Sequence, residues 1–156
     1  GKVGVVNWGP KSKPLPKETY DFILTARSIH GWMGAPGMLE KTFKEFHDAL
    51  KPGGILAVEQ HRANPGPQDP QAASGYVTEA FVIEQAEKAG FKLAGRSEIN
   101  ANAKDTKDHP FGVWTLPPAL RSTAYGSDKE SDASFDHSKY LAIGESDRMT
   151  LRFVRP

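Results

Sequence analysis

The sequence predicts an α/β fold. Three observations carry it: short unbroken runs of apolar, β-prone residues, amphipathic stretches of helical period between them, and an alternating strand near the last residue. Strand, helix, strand, helix, strand is the order of a sheet whose strands are joined by crossover helices.

Taken along the chain, Val3 to Trp8 is a β-prone run, and the Pro- and Lys-rich "GPKSKPLPKE" after it cannot be a central strand. "YDFILTA" sets Phe22, Ile23, Leu24, Thr25 and Ala26 in a row without polar alternation, which suits a parallel strand covered on both faces. Pro36 and Gly37 precede a helix in which Leu39, Phe43, Phe46 and Leu50 fall on one stripe of a 3.6-residue period. Lys51-Pro52-Gly53-Gly54 stops it, with a cation at the negative helix end, a Pro that cannot continue and a Gly for a left-handed turn. Ile55 to Val58 is a second buried strand. Residues 63–75 are loop by every local signal. A helix over Val77 to Ala89 follows, with Thr78 as N-cap and Gly90 as its stop, and strand character resumes from Phe91 to Ile99. At the end Met149, Leu151 and Phe153 alternate with Thr150, Arg152 and Val154, as in a strand with one buried face. The stretch 100–147 is too long for an ordinary connection and is expected to be a lid-like insertion before the last strand, its second half, "GSDKESDASFDHS", poor in apolar residues.

Composition narrows the function. Of 156 residues, 38% are apolar and 25% charged, which fits a globular domain with a core of its own. A net charge of +1, with both signs interspersed, argues against nucleic acid or an anionic membrane surface as partner and leaves small-molecule chemistry by elimination. The absence of Cys excludes thiolate chemistry, and no run of roughly 18 apolar residues marks a membrane span. No G-x-S-x-G elbow points to a serine nucleophile, and the early Gly1, Gly4 and Gly9 do not form a G-x-G-x-x-G loop.

Ligands of open α/β sheets sit at the carboxyl ends of the strands. Here the first buried strand ends in Arg27, Ser28, His30 and Trp32, and the second in Glu59, Gln60, His61 and Arg62. If the strands are neighbours, a crevice forms with groups for proton transfer and charge stabilisation. His30, His61, His109, Glu59 and Asp105 carry metal-ligating atoms, but no H-x-x-H or H-E-x-x-H pair fixes two of them on one helix, so no metal is expected. A metal-dependent enzyme stays the weaker alternative.

"YDFILTARSIHGWM", followed by an amphipathic helix ending in "ALKPGGILAVEQHRA", resembles the fourth strand, fourth helix and fifth strand of class I S-adenosylmethionine-dependent methyltransferases. "GYVTEAFVIEQAEKAGFKL", "SEINANAKDTKDHPFGVWTLPP" and "KYLAIGESDRMTLRFVRP" resemble, more narrowly, a bacterial group labelled predicted methyltransferases, so that the likeness runs from Tyr20 to Pro156. It implies a Rossmann-like sheet, of which residues 1–156 form the C-terminal half, strands 4-5-7-6 of the family order 3-2-1-4-5-7-6, with crossover helices and an antiparallel last strand. The family's Gly-rich cofactor loop and its acidic ribose ligand are not in these residues. The chain is therefore expected to be part of a longer domain, inactive alone, with the edge of strand 20–26 covered by a preceding half-sheet or by a second copy.

The resemblance also implies S-adenosylmethionine as cofactor and methyl transfer to a small-molecule acceptor. His30 and His61 are then the candidate catalytic bases, with Glu59 orienting one of them or facing the cationic end of the cofactor. Arg27, Ser28 and Trp32 are expected on the cofactor side. Arg62, Asn100, Asn102, Asp105, Lys107, His109 and Trp114 are expected to bind substrate from strand end and lid. A non-catalytic methyltransferase-like binding or assembly module stands as the alternative function. Cofactor supply favours the cytoplasm, an export leader ahead of residue 1 would reverse that, and the compartment stays open.

Overall fold

The computed structural model describes residues 3–156. Gly1 lies outside the described residues. The chain forms β1 (Tyr20–Ala26), α1 (Ile29–Met33), α2 (Met38–Ala49), β2 (Leu50–His61), α3 (Glu79–Lys88), β3 (Lys92–Ser97), a 3₁₀ turn (Gly112–Thr115), α4 (Ser138–Ile143) and β4 (Arg148–Val154). The sheet order is β1-β2-β4-β3, with β1 parallel to β2 and β4 antiparallel to both its neighbours. Numbered as the fourth to seventh strands of a class I sheet, this is the order 4-5-7-6 with its antiparallel last strand.

Local chemistry sets the element ends. Thr78 caps α3, its hydroxyl accepting from the Phe81 amide at 3.3 Å. The "KPGG" stop after α2 becomes an irregular entry into β2: Tyr20 pairs with Leu50 but Phe22 with Ile55, and Gly53 takes a φ of 81° that disfavours a side chain. Val3 to Trp8 forms no strand. Val3, Val5 and Val6 pair with no strand among the described residues and stand exposed, while Trp8 turns back onto Trp32 and Phe46 and donates its indole N–H to Glu45 at 2.6 Å.

One face of the sheet carries the core. Leu56 and Val58 of β2 and Met149, Leu151 and Phe153 of β4 pack against Ile29, Leu39 and Phe43 on one side and Val82, Ala86 and Phe91 on the other. The expectation that "DFILTA" and Ile55 to Val58 are covered on both faces is not met within this chain. Phe22 is 57% and Leu24 62% exposed, beside half-buried Ile55 and Ala57, because α1, α2 and α3 supply apolar residues to the opposite face only. The outer edge of β1 is unpaired among the described residues.

Candidate functional site

Parallel pairing brings the carboxyl ends of β1 and β2 side by side, Ala26 opposite Glu59. The chain then turns sharply: Arg27 has a φ of 51°, rare for a residue with a Cβ, and its amide donates to the Glu59 carbonyl at 2.8 Å. That turn launches α1 and sets His30 over the end of β2, where His61 stands. The two imidazole centroids are 5.6 Å apart. A cavity of about 330 Å³ opens here, lined by Arg27, His30, His61, Trp114, Ser146 and Arg148, among others.

Gln60 fixes the protonation of His30. It is fully buried, and its Oε1 accepts from the Ile29 amide at 3.2 Å while Nε2 donates to the Gly75 carbonyl at 3.1 Å, so the amide cannot be turned round. Nε2 also lies 3.1 Å from His30 Nδ1, which must accept. His30 therefore carries its proton on Nε2. Burial holds its pKa below the ordinary value. His61 is held neutral more strongly, at about 3, by burial first and then by His30, Arg27 and Arg148. Its Nδ1 is 2.5 Å from the buried Ser146 hydroxyl.

Glu59 touches neither imidazole through a hydrogen bond. It lies between two guanidinium groups, 3.9 Å from Arg27 Nε and 3.1 Å from Arg148 Nε, and Arg148 also pairs with Glu145 at 2.5 Å. Two cations alternate with two carboxylates along the rim. Ser28 bonds back to the Ala26 carbonyl at 3.0 Å, and Trp32 packs into the Trp8–Phe46 cluster rather than onto the cavity, because helical residues two apart, such as His30 and Trp32, point to different sides.

Most of the residues expected to hold substrate form an ionic lock between the 100–147 segment and the sheet. Asp147 accepts from Arg62 at 3.0 and 2.9 Å and from the Asn102 amide at 2.9 Å, and pairs with Lys107 at 2.8 Å. Burial alone would raise its pKa, but these donors outweigh it and hold the carboxyl at about 2. Arg62, raised above its usual range mainly by Glu98 and Asp147, adds a bidentate pair to Glu98. Asp105, buried, accepts four donors: the Tyr76 hydroxyl, His109 Nε2 at 2.7 Å, and the Lys107 and Asp147 amides. Burial and then Asp105 push the Tyr76 phenol up. Asn100 bonds Thr150, and Asn102 bonds the Ile143 and Glu145 carbonyls. Most of their polar groups are engaged with one another, although Arg62, Lys107 and Asp147 line a separate cavity of about 500 Å³ and His109 keeps a buried Nδ1 without a partner among the described residues. Of that set Trp114 alone lines the strand-end cavity.

Sequence reasoning missed Arg148, Ser146 and the role of Gln60. The register of β4 sets Arg148 opposite His61, so the strand order was the signal that could have found it. Among the described residues no three His, Asp or Glu side chains gather as a metal site.

The chain matches no protein-family profile and no curated protein by sequence. Solved structures match its fold. The [4+2]-cyclase SpnF superimposes with a TM-score of 0.54 at 18% identity, over 93% of this chain and 53% of that one. The 1,6-didemethyltoxoflavin-N1-methyltransferase of Burkholderia thailandensis, solved with 1,6-didemethyltoxoflavin and S-adenosylhomocysteine bound, does so with a TM-score of 0.50 at 11% identity, over 90% of this chain and 45% of that one. The chain spans about half the length of the structures it matches. Its fold is that of the class I S-adenosylmethionine-dependent methyltransferases, over the part of the sheet ordered 4-5-7-6.

Proposed function

We propose that this chain carries the acceptor-facing side of an S-adenosylmethionine-dependent methyl-transfer site for a small-molecule acceptor. The observation that supports it best is the pair of neutral imidazoles on one cavity at the carboxyl ends of adjacent parallel strands, where class I sheets and other open α/β sheets hold their ligands. Fold alone is not enough, since a [4+2]-cyclase shares it.

The residues present fit one side of that cofactor. Ala26, Arg27 and His30 offer a wall open to solvent beyond β1, whereas no glycine-rich loop adjoins the cavity among the described residues. When bound, S-adenosylmethionine supplies the methyl group from its sulfonium. The chain's own part is positioning and proton transfer. With Nδ1–H donating to Ser146, His61 turns a bare Nε2 lone pair outward and can take the acceptor's proton. His30 cannot share that role, because its only lone pair is engaged by Gln60; its Nε2–H orients the acceptor instead. Arg27 and Arg148, each offset by a carboxylate, leave the rim close to neutral.

Calorimetric titration of S-adenosylmethionine and S-adenosylhomocysteine into the full natural polypeptide, with labelled-methyl transfer to a panel of small acceptors, tests this reading. Micromolar binding with turnover that falls about 10²- to 10⁴-fold in His61→Asn is expected. No binding of either nucleoside overturns it.

A further inference from the structure

A second chamber, of about 720 Å³, lies on the far side of His30, between α1, the loop at 71–74 and residues 109–125. It shares His30 and Trp114 with the strand-end cavity, so a molecule inside it meets that cavity at the His30 ring. Extending the methyl-transfer reading, on which its role as acceptor site rests, we propose that this chamber binds the acceptor and takes an uncharged, planar aromatic molecule with an oxygen or ring nitrogen that accepts a hydrogen bond from His30 Nε2–H.

Four features define that ligand. The volume is that of a small-molecule site. No Asp, Glu, Lys or Arg lines the chamber, in contrast to the rim next door, and its second histidine, His109, is already bonded to Asp105, so its lining offers a ligand charge no free counter-ion. One wall is an aromatic shelf: Tyr125 stacks on Trp114 with centroids 4.5 Å apart and planes 17° from parallel, yet is 67% exposed, with the Arg121 guanidinium, bonded to the Thr123 and Ala124 carbonyls, 5.6 Å from its ring centroid. Such a face gains from an offset-stacked ring. Opposite, α1 presents the bare backbone of Gly31, where a Cβ would meet nothing within 4 Å. The polar anchor is His30, whose Nε2–H has no partner among the described residues once Gln60 occupies Nδ1.

The chamber is held ready. The Val113 amide donates to the Ser74 carbonyl at 2.9 Å, and at Gly112, with a φ of 59°, a Cβ would fall 2.2 Å from that carbonyl oxygen. The loop at 71–74 is thus clamped to the 100–147 segment before any ligand enters, which lowers the ordering cost of binding.

Three probes differing in one property each test this: 1-naphthol, its saturated counterpart decahydro-1-naphthol, and 1-naphthoate, titrated without cofactor and followed by calorimetry and by ¹⁵N spectra of the histidine rings. The expected result is naphthol binding, at least about tenfold weaker for the saturated alcohol and the anion, with His30 protonated on Nε2 and its signal shifted by naphthol. Tyr125→Ala, at an exposed position that leaves the fold intact, and Trp114→Leu should each weaken naphthol about fivefold. Equal binding of the saturated alcohol, affinity unmoved by Tyr125→Ala, a His30 protonated on Nδ1, or no naphthol binding at millimolar concentration would each overturn the proposal. Naphthol binding as expected, in a protein that binds no S-adenosylmethionine, would instead overturn the methyl-transfer reading and leave the chamber standing.

Discussion

Two polar regions lie at the same end of the sheet and differ in one respect. Around Asp105 and Asp147 the carboxylate oxygens find protein donors: four donors converge on the first carboxyl group, and two guanidinium nitrogens, an amide and an ammonium on the second, while His109 Nδ1 stays buried without a partner among the described residues. Around His30 and His61 each imidazole is bonded on Nδ1 only, and its Nε2 has no partner among the described residues. In residue type the two regions read alike. Satisfaction separates them: fully engaged carboxylates hold the 100–147 segment onto the sheet, whereas an imidazole edge left open beside the strand-end cavity is available to a ligand.

The sharpest way to break this contrast is to remove the centre of the lock. Asp105→Ala leaves the Tyr76 hydroxyl, His109 Nε2 and two amides buried without an acceptor. A loss of about 3–5 kcal/mol in urea denaturation is expected, with a red-shifted Trp114 emission as the 100–147 segment loosens. A loss below about 1 kcal/mol would show that the network does not hold that segment.

Acid titration resolves the two regions by pH. His61 titrates at about 3 in the folded chain against an ordinary 6.5, so between those values the unfolded chain binds a proton that the folded one refuses. Its contribution is complete above pH 6.5 and falls as the pH drops toward 3, with a slope of up to about 1.4 kcal/mol per pH unit. His30, also lowered, acts in the same direction. Asp147, held at about 2 against 3.8, contributes above pH 3.8 and is lost only between about 4 and 2. From pH 6.5 to 4 the cavity therefore dominates, and below 4 the lock joins it. In denaturation series across pH, His61→Asn should flatten the upper window and leave the Asp147 step below pH 4 in place; an unchanged upper slope would mean that His61 is not held neutral.

The order of elements was legible because it is written in local signals. Thr78 and Gly90 bound α3, "KPGG" follows the end of α2 at Ala49 although it lies within β2, and the alternation of Met149, Leu151 and Phe153 exposes the last strand. The sheet order came from the resemblance, and the adjacency of His30 and His61 followed from it. α1 was not legible, since five residues with a central Gly31 show no helical period. Nor was the lock: Arg62 reaches Asp147 across 85 positions and Asp105 reaches it across 42, and no spacing in the sequence says which polar residues will satisfy one another. The bare face at Phe22 and Leu24 shows the same limit, because an apolar run records what a strand is suited to bury and not what is present to bury it.

The smallest effect is expected where the lock reaches the surface. Glu98 makes two bonds to Arg62, at 3.0 and 2.7 Å, as good in geometry as those of Asp147, and Arg62 holds its carboxyl below the ordinary range. Yet its side chain is 65% exposed where that of Asp147 is 8%. Water replaces Glu98 at little cost, and Arg62 keeps Asp147 and approaches Glu79 at 3.7 Å. Glu98→Ala should therefore cost no more than about 0.5–1 kcal/mol in urea denaturation, and less as salt is raised. A larger loss, insensitive to salt, would mean that bond geometry rather than burial sets the strength of the lock, and the line between its closed interior and its exposed rim would have to be redrawn.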